Sequence, residues 1–442
     1  MIKLPLNSYW YNAYFTVRIT YYVADFMKRE ISIQTIDEAS KKLQSIVKHT
    51  PLEYQKRLSD RYHTTIYVKR EDQQVVRSYK IRGAYNLMQS LTPDEKNRGV
   101  VCASAGNHAQ GVAMSADLLH IKATIYMPET TPLQKINKVK HFGKKWITIK
   151  LFGKSYDESC KKAQEFAKHT QSVFVHPFDD ERTINGQGTV GKEIYDDLGN
   201  AIDVVIVPIG GGGLISGVGT YLKEKKESIT IVGAEPKGAP SMYNAIKNHK
   251  VVTVEHIDTF VDGAAVKTAG EKTYTITSHI VNDIILVPEG KVCETMIELY
   301  QHEGIITEPA GALSIAALDY LTDVIRNKTV VCILSGGNND IMRYPEILER
   351  SLTYQGLKHY FLIEFAQRPG QLRYFLDNAL GPTDDIVRFE YIKKNSKEKG
   401  TALVGIEVQQ KNDLEKLLAK MDHLGIRYIE LTEQDLLYTY LI

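Results

Sequence analysis

The stretch VVIVPIGGGGLISG, residues 204–217, decides the fold class of this chain. Its Val- and Ile-rich start predicts a buried strand, its four consecutive glycines predict a tight turn, and LISG predicts the start of a helix. Because glycine has no Cβ, several backbone N–H groups in this turn can converge on one anion at the helix N-terminus. We therefore predict an α/β fold with a phosphate-binding loop. The residues expected to form the loop are Gly210, Gly211, Gly212, Gly213 and Leu214.

The glycine run differs from the common nucleotide-binding loops. No lysine follows it, which disfavours a nucleoside triphosphate, and its spacing does not fit G-x-G-x-x-G followed by a ribose-binding acid. A flexible turn is the alternative interpretation, although such a turn would usually carry polar residues as well. We expect the phosphate to be part of a cofactor.

Composition narrows the partners of the chain. Its 442 residues are 43% hydrophobic, enough for two or three domains with real cores. Lys and Arg total 55 against 53 Asp and Glu, so a net charge of +2 predicts neither a nucleic-acid nor a membrane partner. Small molecules or further copies of the chain are the expected partners. The four cysteines lie far apart and lack the spacing of metal ligands, so we expect reduced core thiols of a cytoplasmic protein. They are Cys102, Cys160, Cys293 and Cys332.

The first 26 residues are rich in aromatic side chains and are interrupted by Arg18 and Asp25. They contain no apolar run long enough to span a bilayer and no cleavage site after a clean apolar core. We expect residues 1–27 to form an extension outside the fold, and Met27 is an alternative natural start.

From about residue 32, short apolar runs alternate with longer amphipathic stretches, as in an α/β fold with mostly parallel strands. Helices are predicted over, for example, 155–169 and 311–320. Strands are predicted over 65–68, 99–103, 123–127, 146–149, 173–176, 204–209, 229–234, 284–287 and 329–334.

The pattern changes near residues 350–357, where we expect a domain boundary. The order after it is strand, helix, strand, strand, helix, strand, which is the ferredoxin-like split motif. Strands are predicted over 358–366, 386–393, 402–409 and 427–431, and helices over 370–380 and 414–424. We therefore predict one region over 28–350, with a smaller subdomain at about 75–175, and a second domain over 356–442.

Other strand ends add chemistry to the glycine loop. CASAGNHAQG, residues 102–111, offers small residues and polar side chains, although Asn107 could simply cap the following helix. CILSGGN, residues 332–338, delivers Ser335 into a turn, and SYKIRGAY, residues 78–85, offers the amine of Lys80. Ligands of open α/β sheets gather at the carboxyl ends of strands. A phosphate-bearing aldehyde held covalently by Lys80, as in pyridoxal phosphate enzymes, explains the combination.

Five ordered motifs carry a family resemblance. KREDQQVVRSYKIRGAYN, SAGNHAQGVA, PIGGGGLISG, EPAGA and LSGGN resemble the threonine dehydratases of the tryptophan-synthase-β fold family. HYFLIEFAQRPGQL and DDIVRFEYIKK are similar to the single ACT-like regulatory domain of the short bacterial biosynthetic enzymes. The resemblance implies a fold type II catalytic region with two open α/β subdomains, followed by an α+β ferredoxin-like ACT-type domain. It also implies a cytoplasmic homotetramer.

The resemblance assigns roles to residues of this chain. It makes Lys80 the catalytic lysine, which forms a Schiff base with the cofactor. Asn107 would bind the phenolic oxygen of pyridoxal phosphate, Ser335 would face its pyridine nitrogen, and residues 210–214 would bind its phosphate.

The substrate carboxylate would be held by Ser104, Asn107 and His108, although for His108 a structural role at the helix start is an equal alternative. Ala105 replaces the second serine of the related serine racemases, which disfavours racemisation. Glu235 and the Ala239 carbonyl match a cation site of relatives. Because Ser241 stands where a carboxylate ligand would be, we expect no metal.

The implied activity is deamination of L-threonine to 2-oxobutanoate and ammonia, the first step of isoleucine biosynthesis. The implied effectors are isoleucine as inhibitor and valine as antagonist, bound near Arg368 and Gly370. A serine dehydratase or another β-elimination enzyme of the same fold is the alternative within chemistry. A non-catalytic amino-acid sensor is the alternative outside it, and the C-terminal domain could serve only subunit assembly.

Overall fold

A computed structural model of the protein describes residues 30–392, 398–432 and 437–438. The N-terminal extension predicted for residues 1–27 lies outside the described residues. The chain forms two compact units: the first ends at Val287 and resumes over Thr307–Asn338, and the second comprises Pro288–Ile306 and the chain from Asn339 onward. In the part of the chain that the structure describes, no helix is long and apolar enough to cross a membrane.

The larger sheet of the first unit has, among the described residues, six strands in the order β1-β2-β10-β7-β8-β9. β1 and β2 are antiparallel, whereas the other neighbours are parallel. The strand of the glycine motif, β7, lies between β10 and β8 and is buried along its whole length. The strands are β1 (Leu52–Tyr54), β2 (Thr65–Arg70), β7 (Val204–Pro208), β8 (Thr230–Pro236), β9 (Asp283–Val287) and β10 (Thr329–Leu334).

A smaller parallel sheet of the same unit has the order β5-β4-β3-β6 among the described residues. Its strands are β3 (Val100–Ala103), β4 (Ala123–Met127), β5 (Ile147–Leu151) and β6 (Val173–Phe174). β6 ends two residues earlier than predicted. At this point the ring of His176 accepts hydrogen bonds from the N–H groups of Phe178 and Asp179, so the chain turns away from the sheet. Two mostly parallel open sheets confirm the predicted α/β fold.

Helices cover these sheets, and one of them sets the distance between the helix that begins at Lys80 and the helix that follows the glycine loop. Helix α8 (Glu181–Leu198) packs against both α3 (Lys80–Gln89) and α9 (Gly213–Lys225), which follows the glycine loop. A Cβ at Gly186 in α8 would lie 2.5 Å from the Arg82 carbonyl oxygen, and one at Gly217 in α9 would collide with the Ile184 carbonyl. Both neighbours therefore dock on α8 at backbone distance. The helices are α1 (Ile33–Leu43), α2 (Lys56–Tyr62), α3 (Lys80–Gln89), α4 (Pro93–Arg98), α5 (Asn107–Leu119), α6 (Leu133–Gly143), α7 (Tyr156–Thr170), α8 (Glu181–Leu198), α9 (Gly213–Lys225), α10 (Ser241–Lys247), α11 (Glu271–Ile280), α13 (Pro309–Ala316) and α14 (Thr322–Ile325).

The second unit contains an antiparallel sheet whose four described strands have the order β12-β13-β11-β14. Together with two helices, this order gives the ferredoxin-like arrangement and confirms that prediction. Residues 393–397 lie outside the described residues. The elements are α12 (Glu289–Glu303), α15 (Tyr344–Gln355), β11 (Lys358–Ala366), α16 (Gln371–Asn378), β12 (Asp385–Tyr391), β13 (Lys399–Glu407), α17 (Lys411–His423) and β14 (Tyr428–Leu431).

Candidate functional site

The segment that carries Lys80 is joined to the end of the strand that delivers Ser335. The Tyr79 N–H donates to the Ser335 carbonyl oxygen at 3.2 Å, and Ser78 forms an isolated antiparallel bridge with Gly336. Ser335 follows β10 directly, and its side chain is buried, with Oγ 3.3 Å from the Ala310 carbonyl oxygen. The backbone therefore fixes the start of α3 against the carboxyl end of a central strand.

The Lys80 amine is partly shielded from solvent. Its Nζ donates to the Pro177 carbonyl oxygen at 3.2 Å and lies 5.1 Å from the centroid of the Tyr79 ring. Pro177 directly precedes Phe178, whose ring fills the space behind the glycine loop. The lysine of SYKIRGAY thus shares one neighbourhood with the glycine motif, although the two are some 130 residues apart in sequence.

The glycine loop requires residues without side chains. Gly212 has a φ of 93° and caps α9, a conformation that favours glycine, and its Cβ would lie 2.5 Å from Met242 Cε. A Cβ at Gly211 would collide with the Phe178 ring, and one at Gly213 would lie 2.9 Å from Phe178 Cα. Among the described residues, none accepts a hydrogen bond from the N–H groups of residues 210–214. These groups, at the positive end of a helix, can hold a phosphate.

Asn107 begins α5 and has two polar neighbours. Its Nδ2 donates to Glu308 Oε1 at 2.6 Å, and its Oδ1 accepts from Asn338 Nδ2 at 2.7 Å. Glu308 is buried at the N-cap of α13, and this burial, with the nearby charge of Asp262, raises its pKa to about 7. Sequence reasoning included Glu308 only as a letter of EPAGA. An acidic residue directly before a proline at a helix start was the signal that could have drawn attention to it.

Ser104 and Gly106 form the turn before α5. The Ser104 Oγ accepts from the Gly106 N–H at 3.1 Å, and a Cβ added at Gly106 would meet no atom within 4 Å. Space beside this turn is therefore open, as a substrate site requires.

The His108 ring is bound to a backbone carbonyl oxygen. It is buried, its Nε2 lies 2.8 Å from the Val175 carbonyl oxygen, and burial with the nearby charge of Lys80 lowers its pKa to about 3. The ring is thus neutral and donates its one N–H to Val175, so it has no second N–H for a carboxylate.

A buried ionic cluster anchors the helix of Lys80. The Arg82 guanidinium binds both oxygens of Glu71 at 2.8 and 2.7 Å and both oxygens of Glu193 at 2.6 and 2.9 Å. Lys69 Nζ lies 2.7 Å from Glu193 Oε2. Burial disfavours the charge of Arg82, but the two carboxylates outweigh it and raise the pKa of the guanidinium. The sequence did not reveal this cluster, because Glu193 is 111 residues away from Arg82.

Glu235 caps a helix. It is buried, and its two oxygens accept from the N–H groups of Met242 and Tyr243 at 2.8 and 2.9 Å. The Ser241 Oγ lies 3.3 Å from the same carboxylate, and burial raises the pKa of Glu235 to about 8. Over the described residues, no group of three His, Cys, Asp or Glu side chains is arranged to hold a metal ion.

In the second unit, the residues considered for an effector lie together at the start of a helix. Gly370 has a φ of 88° and is the N-cap of α16, and Arg368 is exposed two residues before it. The Arg368 N–H donates to the Ala366 carbonyl oxygen, which fixes the turn.

The first unit brings together the groups that pyridoxal phosphate needs. It offers an amine, free backbone N–H groups, a side-chain amide and a hydroxyl, which are the kinds of group that would hold the aldehyde, the phosphate and the ring of this cofactor. The glycine loop is the decisive fit, because neighbouring atoms occupy every place where a Cβ would stand and its N–H groups remain available.

Comparison with known proteins agrees with this fit. Residues 43–336 match the family described as pyridoxal-phosphate dependent enzyme, and residues 349–441 match the C-terminal regulatory domain of threonine dehydratase. The chain is 51% identical to the L-threonine dehydratase biosynthetic IlvA of Halalkalibacterium halodurans, over 93% of this chain and all of that protein. It is 50% identical to the protein of the same name from Bacillus subtilis, over 93% of this chain and 98% of that protein.

Two solved structures resemble the catalytic part. The processed form of threonine deaminase isoform 2 from Solanum lycopersicum is 37% identical, with a TM-score of 0.69, over 72% of this chain and 92% of that one. Maize serine racemase is 31% identical, with a TM-score of 0.68, over 74% of this chain and 99% of that one. The chain therefore belongs to the pyridoxal-phosphate-dependent enzymes and, among them, to the biosynthetic threonine dehydratases.

Proposed function

We propose that this enzyme deaminates L-threonine to 2-oxobutanoate and ammonia and that its C-terminal domain regulates this activity. The observation that carries the proposal is the meeting of the Lys80 amine, the glycine loop and Ser335 in one unit. Identity of about half over the full length of biosynthetic relatives supports threonine as substrate.

The proposed cofactor contacts use the geometry described above. Lys80 would hold pyridoxal phosphate covalently, and residues 210–214 would bind its phosphate through backbone N–H groups. Asn107 would donate to the phenolic oxygen, and the Ser335 hydroxyl would face the ring nitrogen.

The cofactor, when bound, supplies an electron sink for the breaking Cα–H bond. The Lys80 amine would be the general base in our proposal, and its Nζ would take the Cα proton of the bound substrate. The neutral Ser335 hydroxyl does not hold the ring nitrogen protonated as a carboxylate would, which favours prompt loss of the β-hydroxyl over transamination. Ala105 offers no acid-base hydroxyl on the opposite face, which disfavours racemisation.

We assign the substrate carboxylate to the turn before α5. The Ser104 Oγ accepts from Gly106 and keeps its own proton free to donate, and the open space beside Gly106 lies next to it. Asn107 has one N–H that it does not give to Glu308, and we assign that N–H to the phenolic oxygen, so Asn107 is left out of the carboxylate site. His108 is left out, because its N–H is bound to Val175.

For the regulatory domain we propose isoleucine as inhibitor and valine as antagonist, bound at the turn of Arg368 and Gly370. A guanidinium and a helix N-terminus both attract a carboxylate. An effector that binds two states with different affinity changes the substrate half-saturation. We further propose a cytoplasmic homotetramer, as the family resemblance implies.

The test measures 2-oxobutanoate release from threonine and pyruvate release from serine by the purified enzyme. Lys80→Ala should abolish both, whereas Lys56→Ala, which removes an exposed lysine paired with Asp60, should leave them unchanged. Isoleucine should raise the half-saturating threonine concentration. Appreciable turnover by Lys80→Ala would refute the catalytic proposal, and an unchanged half-saturation would refute the regulatory one.

A further inference from the structure

Asn107 is the middle member of a short polar chain. Asn338 Nδ2 lies 2.8 Å from the Val76 carbonyl oxygen and 2.7 Å from Asn107 Oδ1, and Asn107 Nδ2 lies 2.6 Å from Glu308 Oε1. Gln110 Oε1 stands at a longer 3.2 Å from the same Asn338 nitrogen. Val76 and Glu308 thus mark the two ends of this series of hydrogen bonds.

The orientation of both amides follows from the Val76 end. A backbone carbonyl can only accept, so the atom of Asn338 that faces Val76 must be its nitrogen. That nitrogen also faces Asn107, so the facing atom of Asn107 must be its oxygen. The other terminal atom of Asn107 is then its nitrogen, and Glu308 is the acceptor of one of its two N–H bonds. The second N–H has no acceptor among the described residues.

Glu308 is itself firmly held. Its N–H donates to the Gly336 carbonyl oxygen at 3.2 Å, and its side chain fills the place that a Cβ at Gly336 would occupy. Gly336 directly follows Ser335. The Glu308 carboxylate therefore connects Asn107, at the start of α5, with the end of β10, which carries Ser335.

We propose that Glu308, aided by Asn338, is a positioning residue that orients the Asn107 amide so that its second N–H is kept for the phenolic oxygen of pyridoxal phosphate. This inference rests on the proposed cofactor contacts. Without Glu308, the amide could turn and present its oxygen, which would repel the phenolic oxygen. The hydrogen bonds of 2.6 Å to Glu308 and 2.7 Å from Asn338 hold both ends of the Asn107 amide and oppose that rotation.

The experiment measures the dissociation constant of pyridoxal phosphate from the apoprotein by fluorescence quenching, together with the visible absorption of the bound cofactor. Glu308→Ala should weaken binding by about tenfold or more and shift the absorption maximum. Glu308→Gln keeps an acceptor oxygen and should bind within about threefold of the unaltered protein. Glu165→Ala, an exposed carboxylate change, should bind unchanged.

A cofactor analogue separates positioning from general damage. With pyridoxal phosphate that carries hydrogen in place of its phenolic hydroxyl, Glu308→Ala and the unaltered protein should bind equally well. A tenfold deficit that persists with this analogue would overturn the inference, as would an unchanged affinity of Glu308→Ala for the normal cofactor. So would Glu308→Gln binding as weakly as Glu308→Ala.

If Glu308→Ala fails to fold, Asn338→Ala tests the same series of hydrogen bonds from its other end. It should weaken binding of the normal cofactor several-fold and leave binding of the analogue unchanged, and equal affinity for the normal cofactor would overturn the inference. Failure of the unaltered protein to retain cofactor on Lys80 would instead refute the proposed function, so the two failures are distinguishable.

Discussion

Removal of the buried guanidinium two residues after Lys80 should destabilise the catalytic unit strongly. In the intact cluster, Lys69 and Arg82 balance the negative charges of the buried Glu71 and Glu193, and the partly exposed Asp197 lies 3.9 Å from Lys69. Arg82→Met keeps the unbranched stem of the side chain but removes the guanidinium, which leaves one cation against the two buried carboxylates. Because Arg82 and Glu71 are fully buried, water cannot compensate for the lost partner.

The expected loss can be worked from these contacts. Arg82 donates four hydrogen bonds of 2.6–2.9 Å to the two carboxylates. Breaking a buried ion pair by removing one partner costs about 3–5 kcal/mol in the free energy of unfolding. The double variant Arg82→Met with Glu71→Gln restores the charge balance and keeps the Lys69–Glu193 pair, so it should recover about 2 kcal/mol of that loss.

The assay is a urea titration followed by far-ultraviolet circular dichroism, with all three proteins at the same pH. We expect the single variant to have the lowest free energy of unfolding and the double variant to lie between it and the unaltered protein. A loss below about 1 kcal/mol for the single variant would refute this interpretation of the cluster. A double variant less stable than the single one would refute the charge-balance reasoning.

Three further predictions concern Glu308, Gly186 and Lys80. The pKa of Glu308 is raised from 4.5 to about 7, so the stability linked to its protonation is full below about pH 4.5 and is lost as the pH rises through 7. Glu308→Gln should therefore gain stability relative to the unaltered apoprotein, by up to about 3 kcal/mol between pH 5 and 8; a difference independent of pH would contradict the raised pKa. Gly186→Ala places a Cβ 2.5 Å from the Arg82 carbonyl oxygen and should lower the free energy of unfolding by about 1–3 kcal/mol, whereas unchanged stability would show that α3 can move away freely. Lys80→Ala should keep its thermal unfolding midpoint within a few degrees of the unaltered apoprotein, and a collapse of the midpoint would mean that the lysine is structural.

The architecture could be predicted because its signals are local. Strands β4, β10 and β11 have the same bounds in the sequence pattern and in the structure. β4 and β10 are buried on both faces, which requires continuous apolar residues, whereas β11 exposes Glu364 on one face. The sequence pattern predicts a longer β6 than the structure has, because the turn at His176 depends on side-chain contacts with the following backbone.

The candidate site likewise contains some residues that the sequence predicts and others that it does not. The glycine loop, Lys80 and Ser335 could be predicted because each follows a recognisable strand or opens a helix. The roles of Glu308 and Arg82 depend on pairing over long sequence separations, which no local pattern encodes. The commitment of His108 to Val175 likewise depends on a contact between distant segments.

Covalent attachment of the cofactor tests the central proposal most directly. The holoenzyme is reduced with borohydride, digested, and its peptides are weighed by mass spectrometry. We predict that the reduced cofactor will be found on the peptide that contains Lys80, at about one equivalent per chain. Attachment to another lysine, or none at all in an enzyme that still turns over threonine, would contradict the assignment of Lys80.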